Sequence, residues 1–108
     1  MNEESPAIMT SQIVAFNDAW KAIAAISGRD SMAARELRDV KALLQIRLLR
    51  AGYAHLAPDT DGRQDLWSVR LNHPLRSRVD ACHLPRAVAE ALLLPSELLR
   101  LSGGHHVG

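Results

Sequence analysis

The sequence is poor in cysteine, in aromatic residues and in net charge, and each shortage excludes a class of protein. A single cysteine, Cys82, cannot form an internal disulfide, which excludes a disulfide-stapled secreted domain. Aromatic residues make up only 4% of the chain, so an aliphatic, helical core is favoured over a β-sandwich. The 13 Lys and Arg residues nearly balance the 12 Asp and Glu residues, which excludes a strongly basic nucleic-acid coat and an acidic mimic.

Long apolar runs are also missing. The run from Ala91 to Leu94 stops at Pro95, and no segment approaches the ~20 apolar residues that a membrane-spanning helix needs. The N-terminus begins with polar and acidic residues instead of a basic segment followed by an apolar one, so no secretory signal is predicted. We therefore expect a cytoplasmic protein that does not bind a membrane.

The 108 residues predict a single domain of the α+β class that is mostly helical. Residues 1–6 are expected to form a disordered leader, residues 7–102 the domain, and residues 103–108 a flexible tail. Apolar residues spaced three and four apart predict the first helix over residues 7–27, and Gly28 is expected to end it. The residues of this apolar face are Ile13, Phe16, Trp20 and Ile23.

A second helical segment is predicted over residues 31–51, with Asp30 or Ser31 as its N-terminal cap. Its apolar residues again recur every three or four positions, but Ile46 and Leu49 fall among the polar residues of that helix. Two explanations remain open: one continuous helix is buried on two sides near its end, or the helix breaks near Asp39 and restarts. The regular apolar series is Ala33, Leu37, Val40, Leu44 and Leu48.

The pattern then changes from a helical period to the alternation that is typical of a β-hairpin, over residues 53–71. In the second half of this segment Trp67, Val69 and Leu71 alternate with polar residues. The dipeptide Asp61-Gly62 lies between the two short β-like runs and is a strong turn signal. A hairpin with a polar loop is therefore predicted.

The C-terminal third of the chain predicts further helix after a polar linker over residues 72–80. Pro85 suits the first turn of a third helix that runs to about Leu94, because proline lacks the N–H that a first helical turn leaves unpaired. Ser96 is expected to cap a last short helical segment that ends at Leu101.

One set of motifs extends over residues 33–71 and combines a helix, a glycine and a hairpin. The motifs are Arg35-Glu36-Leu37, Leu44, Leu48, Ala51-Gly52-Tyr53, Asp61-Gly62-Arg63 and Leu66-Trp67-Ser68-Val69-Arg70-Leu71. This stretch resembles the winged helix-turn-helix family, in which a recognition helix ends in a leucine four residues before a glycine and a wing hairpin follows. The resemblance implies a winged-helix-like three-helix core with one β-hairpin and C-terminal helices. It also implies a small transcriptional regulator that binds double-stranded DNA.

The resemblance assigns the DNA contacts to the second helix and to the hairpin. Arg63 at the turn and Arg70 in the strand are expected to contact phosphates, which positions the protein without reading sequence. Local charge agrees with this assignment, because residues 29–50 carry a net charge of +3 while the first 28 residues carry −2. The residues expected in the major groove are Arg38, Lys41, Gln45 and Arg47.

Motifs that indicate catalysis or a metal centre do not occur. The sequence has no G-x-S-x-G elbow, P-loop, G-x-G-x-x-G or H-E-x-x-H. The acids of the hairpin loop are better explained as solvated turn side chains than as calcium ligands, because the loop lacks the completing glutamate. We expect no enzymatic activity, no catalytic residue, no metal and no cofactor. The scattered zinc candidates, which lack paired ligand spacing, are His55, His73, Cys82 and His83.

The C-terminal helices carry more leucine than a domain of this size needs for its core. We therefore expect a homodimer or a protein partner on this surface. The residues expected at the interface are Leu92, Leu98, Leu99 and Leu101. The alternative to a DNA-binding regulator is a non-enzymatic protein-interaction module, such as an adaptor, an inhibitor or an antitoxin-like partner, without nucleic-acid binding.

Overall fold

A computed structural model describes residues 5–72 and 83–103, and in these ranges the chain forms four helices and a three-stranded antiparallel sheet. The expected α+β, mostly helical class is therefore confirmed. Parts of the predicted leader, linker and tail (residues 1–4, 73–82 and 104–108) lie outside the described residues. The helices are α1 (Pro6–Ser27), α2 (Met32–Arg50), α3 (Arg86–Leu92) and α4 (Pro95–Leu101). The strands are β1 (Ala54–Pro58), β2 (Leu66–Leu71) and β3 (His83–Pro85), in that order across the sheet.

Helix α1 has the boundaries that its terminal residues favour. The Ser5 hydroxyl accepts a hydrogen bond from the Ile8 N–H at 3.1 Å, and Pro6 occupies the first turn. At the other end Gly28 has a φ of 96°, a conformation that favours glycine, and its N–H donates to the Ala24 carbonyl at 2.9 Å. The predicted end of the first helix at Gly28 is confirmed.

Helix α2 is continuous, so the alternative with a break near Asp39 is wrong. Ser31 caps it by accepting a hydrogen bond from the Ala34 N–H at 3.2 Å. The out-of-phase residues Ile46 and Leu49 are both buried, which identifies two-sided burial as the correct explanation. Helix α1 packs on one side of α2, and the sheet packs on another.

The predicted hairpin is confirmed as the β1–β2 pair, and a third strand was not predicted. Leu56 in β1 pairs with Val69 in β2, and Trp67 in β2 pairs with Leu84 in β3. Strand β3 has only three residues and ends in proline, so its sequence shows no alternation that would indicate a strand. It nevertheless extends the sheet and covers part of α2.

The C-terminal helices differ in their boundaries from the sequence prediction. Pro85 ends β3 and precedes α3, which stops at Leu92 rather than at Leu94. The last helix starts at Pro95, and its N-terminus is capped by the Glu97 carboxylate, which accepts the Leu94 N–H at 2.9 Å. The expected Ser96 cap is therefore wrong, because Ser96 already lies inside the helix.

The core lies between α1, α2 and the inner face of the sheet. Its side chains are aliphatic, as the low aromatic content predicts, and each large one that leaves water contributes about 1.5–3 kcal/mol to folding. Among the described residues, no helix is both long enough and apolar enough to cross a membrane. The largest fully buried apolar side chains are Ile13, Leu48, Leu49, Leu56, Leu84 and Val69.

Candidate nucleic-acid interface

A groove of about 980 Å³ runs between the α1–α2 pair and the outer part of the sheet. Its walls come from α1, the α1–α2 loop, α2, the hairpin loop, β2, β3 and the start of α3. Among the described residues of its lining, seven are basic and two, Asp39 and Asp65, are acidic, which sum to a charge of +5. The whole chain carries only +1, so the structure concentrates positive charge here. The basic lining residues are Lys21, Arg29, Arg35, Arg38, Lys41, Arg63 and Arg70.

Four cations of this groove form its accessible rim. Arg38 is half-buried and the other three are exposed, and none of the four forms an ion pair with a residue that the structure describes. An exposed cation without a carboxylate partner keeps its full attraction for an external anion. The four residues, named here the rim cations, are Lys21, Arg29, Arg35 and Arg38.

An indole ring lies among the rim cations. The guanidinium carbons of Arg29 and Arg38 are 5.9 Å and 5.4 Å from the centre of the Trp20 ring, which is within the range of cation–π attraction. The indole Nε1 of Trp20 is enclosed and has no hydrogen-bond acceptor among the described residues. The groove wall thus combines positive charge with a flat aromatic surface.

The base of the groove is a hydrogen-bonded junction between α1, α2 and β3. The Lys41 ammonium donates to the Asn17 side-chain oxygen and to the His83 carbonyl, both at 3.2 Å. The side-chain amide of Gln45 donates to the same carbonyl at 3.3 Å. These side chains therefore hold β3 against α2, and Lys41 is only 6% exposed.

The hairpin loop is organised around a buried carboxylate. Both Asp59 oxygens are enclosed, and Oδ2 accepts hydrogen bonds from the backbone N–H of Asp61 at 3.2 Å and of Arg63 at 3.1 Å. The Arg63 Nε also donates to Oδ2 at 3.1 Å, and the His83 Nε2 lies 2.8 Å from Oδ1. Hydrogen bonding to Arg63 is the largest influence on this carboxyl and lowers the pKa of Asp59 to about 2, although its enclosure opposes the shift. Asp59 is therefore a buried structural anion and not the solvated turn side chain that the sequence predicts.

Four of the six predicted DNA-contacting residues line this groove, and two do not. Arg38, Arg63 and Arg70 line it, as does Lys41 at its base. Gln45 is 0% exposed, and Arg47 is exposed but lies outside the groove. The expected insertion of Lys41 and Gln45 into a major groove is wrong, because β3 covers both side chains and binds them through the His83 carbonyl.

The predicted interface leucines are divided between the core and the surface. Leu101 is buried, which contradicts the expectation that it faces a partner, whereas Leu98 is half-buried and packs against the core. Leu92 and Leu99 are exposed, as is Leu94 between α3 and α4, which the sequence did not single out. The helices turn Leu98 and Leu101 inward because they lie three residues apart on the same face of α4.

The sequence missed four residues that define the site. Arg29 and Arg35 belong to the segment with excess positive charge, which was the one signal available for them. Lys21 lies in the acidic N-terminal part of the chain, and its place beside the others depends on the antiparallel packing of α1 against α2. The buried role of Asp59 depends on contacts with Arg63 and with the distant His83, which no local pattern shows.

A second cavity of about 560 Å³ lies beside β1 and the end of α4, and it differs in chemistry. Arg100 is the one Lys or Arg among its described lining residues, and hydrogen bonds join the residues of its polar wall to one another. His55 Nδ1 lies 2.7 Å from the Asn72 side-chain oxygen, and the Asn72 amide donates to the Gly52 carbonyl at 2.9 Å. This cavity lacks the charge concentration of the groove, so the groove is the better candidate for a binding site.

In the part of the chain that the structure describes, no group of three or more His, Cys, Asp or Glu residues is arranged to hold a metal ion. Of the scattered zinc candidates, His73 and Cys82 lie outside the described residues. No family model, no curated protein and no solved structure matches this chain.

Proposed function

We propose that this protein is a small winged-helix-like DNA-binding regulator that contacts DNA through the cationic groove rather than through a recognition face of α2. One observation carries the proposal: seven basic and two acidic residues line a single groove of a nearly neutral chain. The rim cations strengthen it, because they have no carboxylate partner among the described residues. Phosphates supply most of the free energy of non-specific DNA binding, and clustered cations attract them.

The hairpin loop supports the same proposal. Arg63 lies on the groove and is about half exposed, although Asp59 and Asp61 lie 3.1 Å and 3.6 Å from its guanidinium nitrogens. Its partners hold the guanidinium in one place, which suits a contact that positions the protein on a phosphate backbone. The hairpin follows a helix and precedes the C-terminal helices, as the winged-helix resemblance implies, but among the described residues only two helices precede it and α2 has no turn that would make a helix-turn-helix.

The proposal is tested by fluorescence anisotropy with a labelled duplex of mixed sequence, at low and at physiological salt. We expect binding that weakens steeply with salt, because each phosphate contact contributes roughly −0.9 to the slope of log K against log salt concentration. The double variant Arg35→Ala with Arg38→Ala removes two rim cations, so we expect an affinity loss of about tenfold or more and a slope that is smaller by about 2.

A matched control removes the same charge elsewhere. Arg47 and Arg100 are exposed and lie outside the groove, so the double variant Arg47→Ala with Arg100→Ala is expected to bind nearly as well as the unmodified protein. Equal losses in the two double variants would show that net charge, and not the groove, attracts the DNA. Failure of the unmodified protein to bind either the duplex or single-stranded DNA of the same sequence at low salt would end the proposal.

A second candidate function, protein interaction without nucleic acid, is favoured by the exposed leucines of the C-terminal helices. Leu94 and Leu99 are 62% and 60% exposed, so α4 and the residue before it present apolar surface to solvent. The simplest such interaction is a homodimer through this surface. Light scattering of the purified chain measures whether the homodimer forms. Leu99→Asp is expected to convert such a dimer to a monomer, whereas a monomeric unmodified chain would leave this surface without a homodimer role.

A further inference from the structure

We propose that the cationic groove binds a single strand of nucleic acid in preference to a duplex. This inference rests on the proposed function and specifies which form of nucleic acid the same groove accepts. It depends on three observations: the covered face of α2, the concave shape of the charged surface, and the position of Trp20 among the rim cations. Each observation favours a narrow single strand with unpaired bases over a wide duplex with stacked bases.

The first observation is that two of the α2 side chains expected to read a duplex, Lys41 and Gln45, are covered by β3. The major groove of DNA admits a helix whose side chains reach the edges of the bases. On the side of α2 that β3 covers, Lys41 and Gln45 are already bound to the His83 carbonyl. The exposed side of α2 contains Val40 and Leu43, which offer no hydrogen bonds to bases, and the acidic Glu36 and Asp39, which repel phosphates. A helix surface of this mixed composition is poorly suited to reading a major groove.

The second observation is the shape of the charged surface. The seven cations line the walls and base of a concave groove instead of a projecting ridge. A duplex is convex, so it meets only the rim of such a groove, and Lys41 at the base stays beyond its reach. A single strand is narrow enough to enter, so its phosphates lie closer to the cations on both walls. Proteins that bind single strands use positively charged grooves that follow the backbone in this way.

The third observation is the aromatic surface beside the charge. Trp20 lines the groove, and the guanidinium groups of Arg29 and Arg38 lie over its ring without a carboxylate to anchor them. When these two guanidinium groups turn to phosphates, the indole face becomes available for an unpaired base, and its Nε1 becomes available for an acceptor. Stacking of this kind needs bases that are not already stacked inside a duplex.

The other tryptophan of the chain, Trp67, also has an enclosed Nε1 without an acceptor among the described residues, but the cation over its ring is held differently. The guanidinium carbon of Arg86 lies 3.9 Å from the centre of the Trp67 ring, and its Nε donates to the Leu66 carbonyl at 3.3 Å. Arg86 is therefore anchored, and Trp67 does not line the groove. Trp67 and Trp20 thus form a natural pair of control and test residues within one protein.

The experiment compares three labelled nucleic acids of about 15 nucleotides and the same mixed sequence: single-stranded DNA, its duplex, and single-stranded RNA. Anisotropy titrations of the full chain are carried out at low and at physiological salt. We expect at least one single strand to bind several-fold more tightly than the duplex at both salt concentrations. The comparison of DNA with RNA then shows whether the sugar contributes, and preference for either single strand supports the inference.

Two further measurements locate the single strand on Trp20. Trp20→Leu is expected to weaken single-strand binding by about tenfold while duplex binding changes little, because only unpaired bases stack on the indole. Circular dichroism verifies that this variant is folded. The double variant Arg29→Gln with Arg38→Gln, which changes only side chains on the rim, tests the same cluster if Trp20→Leu does not fold. Tryptophan fluorescence is expected to be quenched by single strands in Trp67→Phe but not in Trp20→Phe.

The outcomes separate this inference from the proposed function. Duplex binding that depends on Arg35 and Arg38 and equals or exceeds single-strand binding overturns the inference and leaves the proposed function intact. Single-strand binding that is unaffected by Trp20→Leu, with no quenching of Trp20, also overturns the inference. If neither form of nucleic acid binds at low salt, the proposed function fails as well.

Discussion

The two ends of α2 hold arginines in opposite situations. Near its N-terminus Arg35 and Arg38 face the groove and form no ion pair with any residue in the described ranges. At its C-terminus Arg50 donates two hydrogen bonds to the Glu97 carboxylate, both at 3.0 Å, and a third to the Leu92 carbonyl. One end thus uses arginine to attach α3 and α4, whereas the other presents it to solvent. Position in a helix does not decide the role of a cation; its tertiary partners decide it.

Lys41 lies between these two ends, and its removal is expected to have the largest effect on stability. Lys41→Met leaves the buried His83 carbonyl and the Asn17 side chain with fewer donors, which costs roughly 1–3 kcal/mol. The matched variant Arg38→Met, on the same helix but without such partners, is expected to change stability by no more than about 0.5 kcal/mol. Urea denaturation at neutral pH measures both. Similar losses in the two variants would remove the distinction between the base and the rim of the groove.

Acid is expected to weaken the two arginine–carboxylate pairs, Arg63–Asp59 and Arg50–Glu97, and to leave the charges of the rim cations unchanged. Hydrogen bonds from Arg63 lower the pKa of Asp59 from 3.8 to about 2, and those from Arg50 lower the pKa of Glu97 from 4.5 to about 2. Because both pKa values are lower in the folded chain, the stabilisation is complete above about pH 5 and is lost as the pH falls towards 2. The free energy of unfolding, measured in urea across this range, is therefore expected to decrease with acidification.

The variant Glu97→Gln tests the predicted loss of stability in acid at one of the two carboxyls. This variant lacks one of the two low-pKa carboxyls, so it is expected to be less stable than the unmodified chain at pH 7 and to lose less stability between pH 5 and 2. An identical pH dependence in the two proteins would mean that the Arg50–Glu97 pair does not stabilise the fold.

Arg50→Ala is expected to have a smaller effect that appears in stability alone. The pair is only partly enclosed, so its loss is expected to lower the Tm by a few degrees at most. DNA affinity is expected to stay within about twofold of the unmodified protein, because Arg50 lies outside the groove. Thermal unfolding and anisotropy on the same preparation measure the two effects. A large affinity loss would contradict the division between the two ends of α2.

Arg35→Ala is expected to have the smallest effect on stability. Unlike Arg50→Ala, it is expected to lower the affinity for nucleic acid. Arg35 is exposed and has no ion pair with the described residues, so the Tm of the variant is expected to equal that of the unmodified protein within error. Its affinity for nucleic acid is expected to fall a few-fold, with a shallower dependence on salt. A clear fall in Tm without a change in affinity would make Arg35 a structural residue like Arg50.

Much of the local structure was predictable because short-range signals specify it. Ser31 and Gly28 mark helix ends through hydrogen bonds to residues three and four positions away. The Asp61-Gly62 turn identifies the hairpin, and Gly62 has the positive φ of 78° that this position requires. Strand β3 was not predictable in the same way, since its three residues are specified by pairing with β2 rather than by their own pattern.

The missing strand explains the main error in the predicted site. Without β3, the side of α2 opposite its regular apolar series faces solvent, and Lys41 and Gln45 become candidates for contacts with bases. With β3 in place, the His83 carbonyl receives hydrogen bonds from both side chains and covers them. A three-residue element brought back by a distant part of the chain thus converts two expected surface residues into buried ones.

The amino-acid pattern alone was enough for the fold class, the first helix, the helical character of residues 31–51, the hairpin and the presence of cations in that second helical segment, whereas only the structure showed that the segment is one continuous helix. These features depend on periodicity, caps and turns that act over a few residues. The cationic groove exists because α1 packs against α2 and the sheet flanks them, which places Lys21 and Arg38 on one groove and pairs Arg50 with Glu97. Electrostatic attraction depends on distances between side chains, and packing between segments far apart in the chain sets those distances.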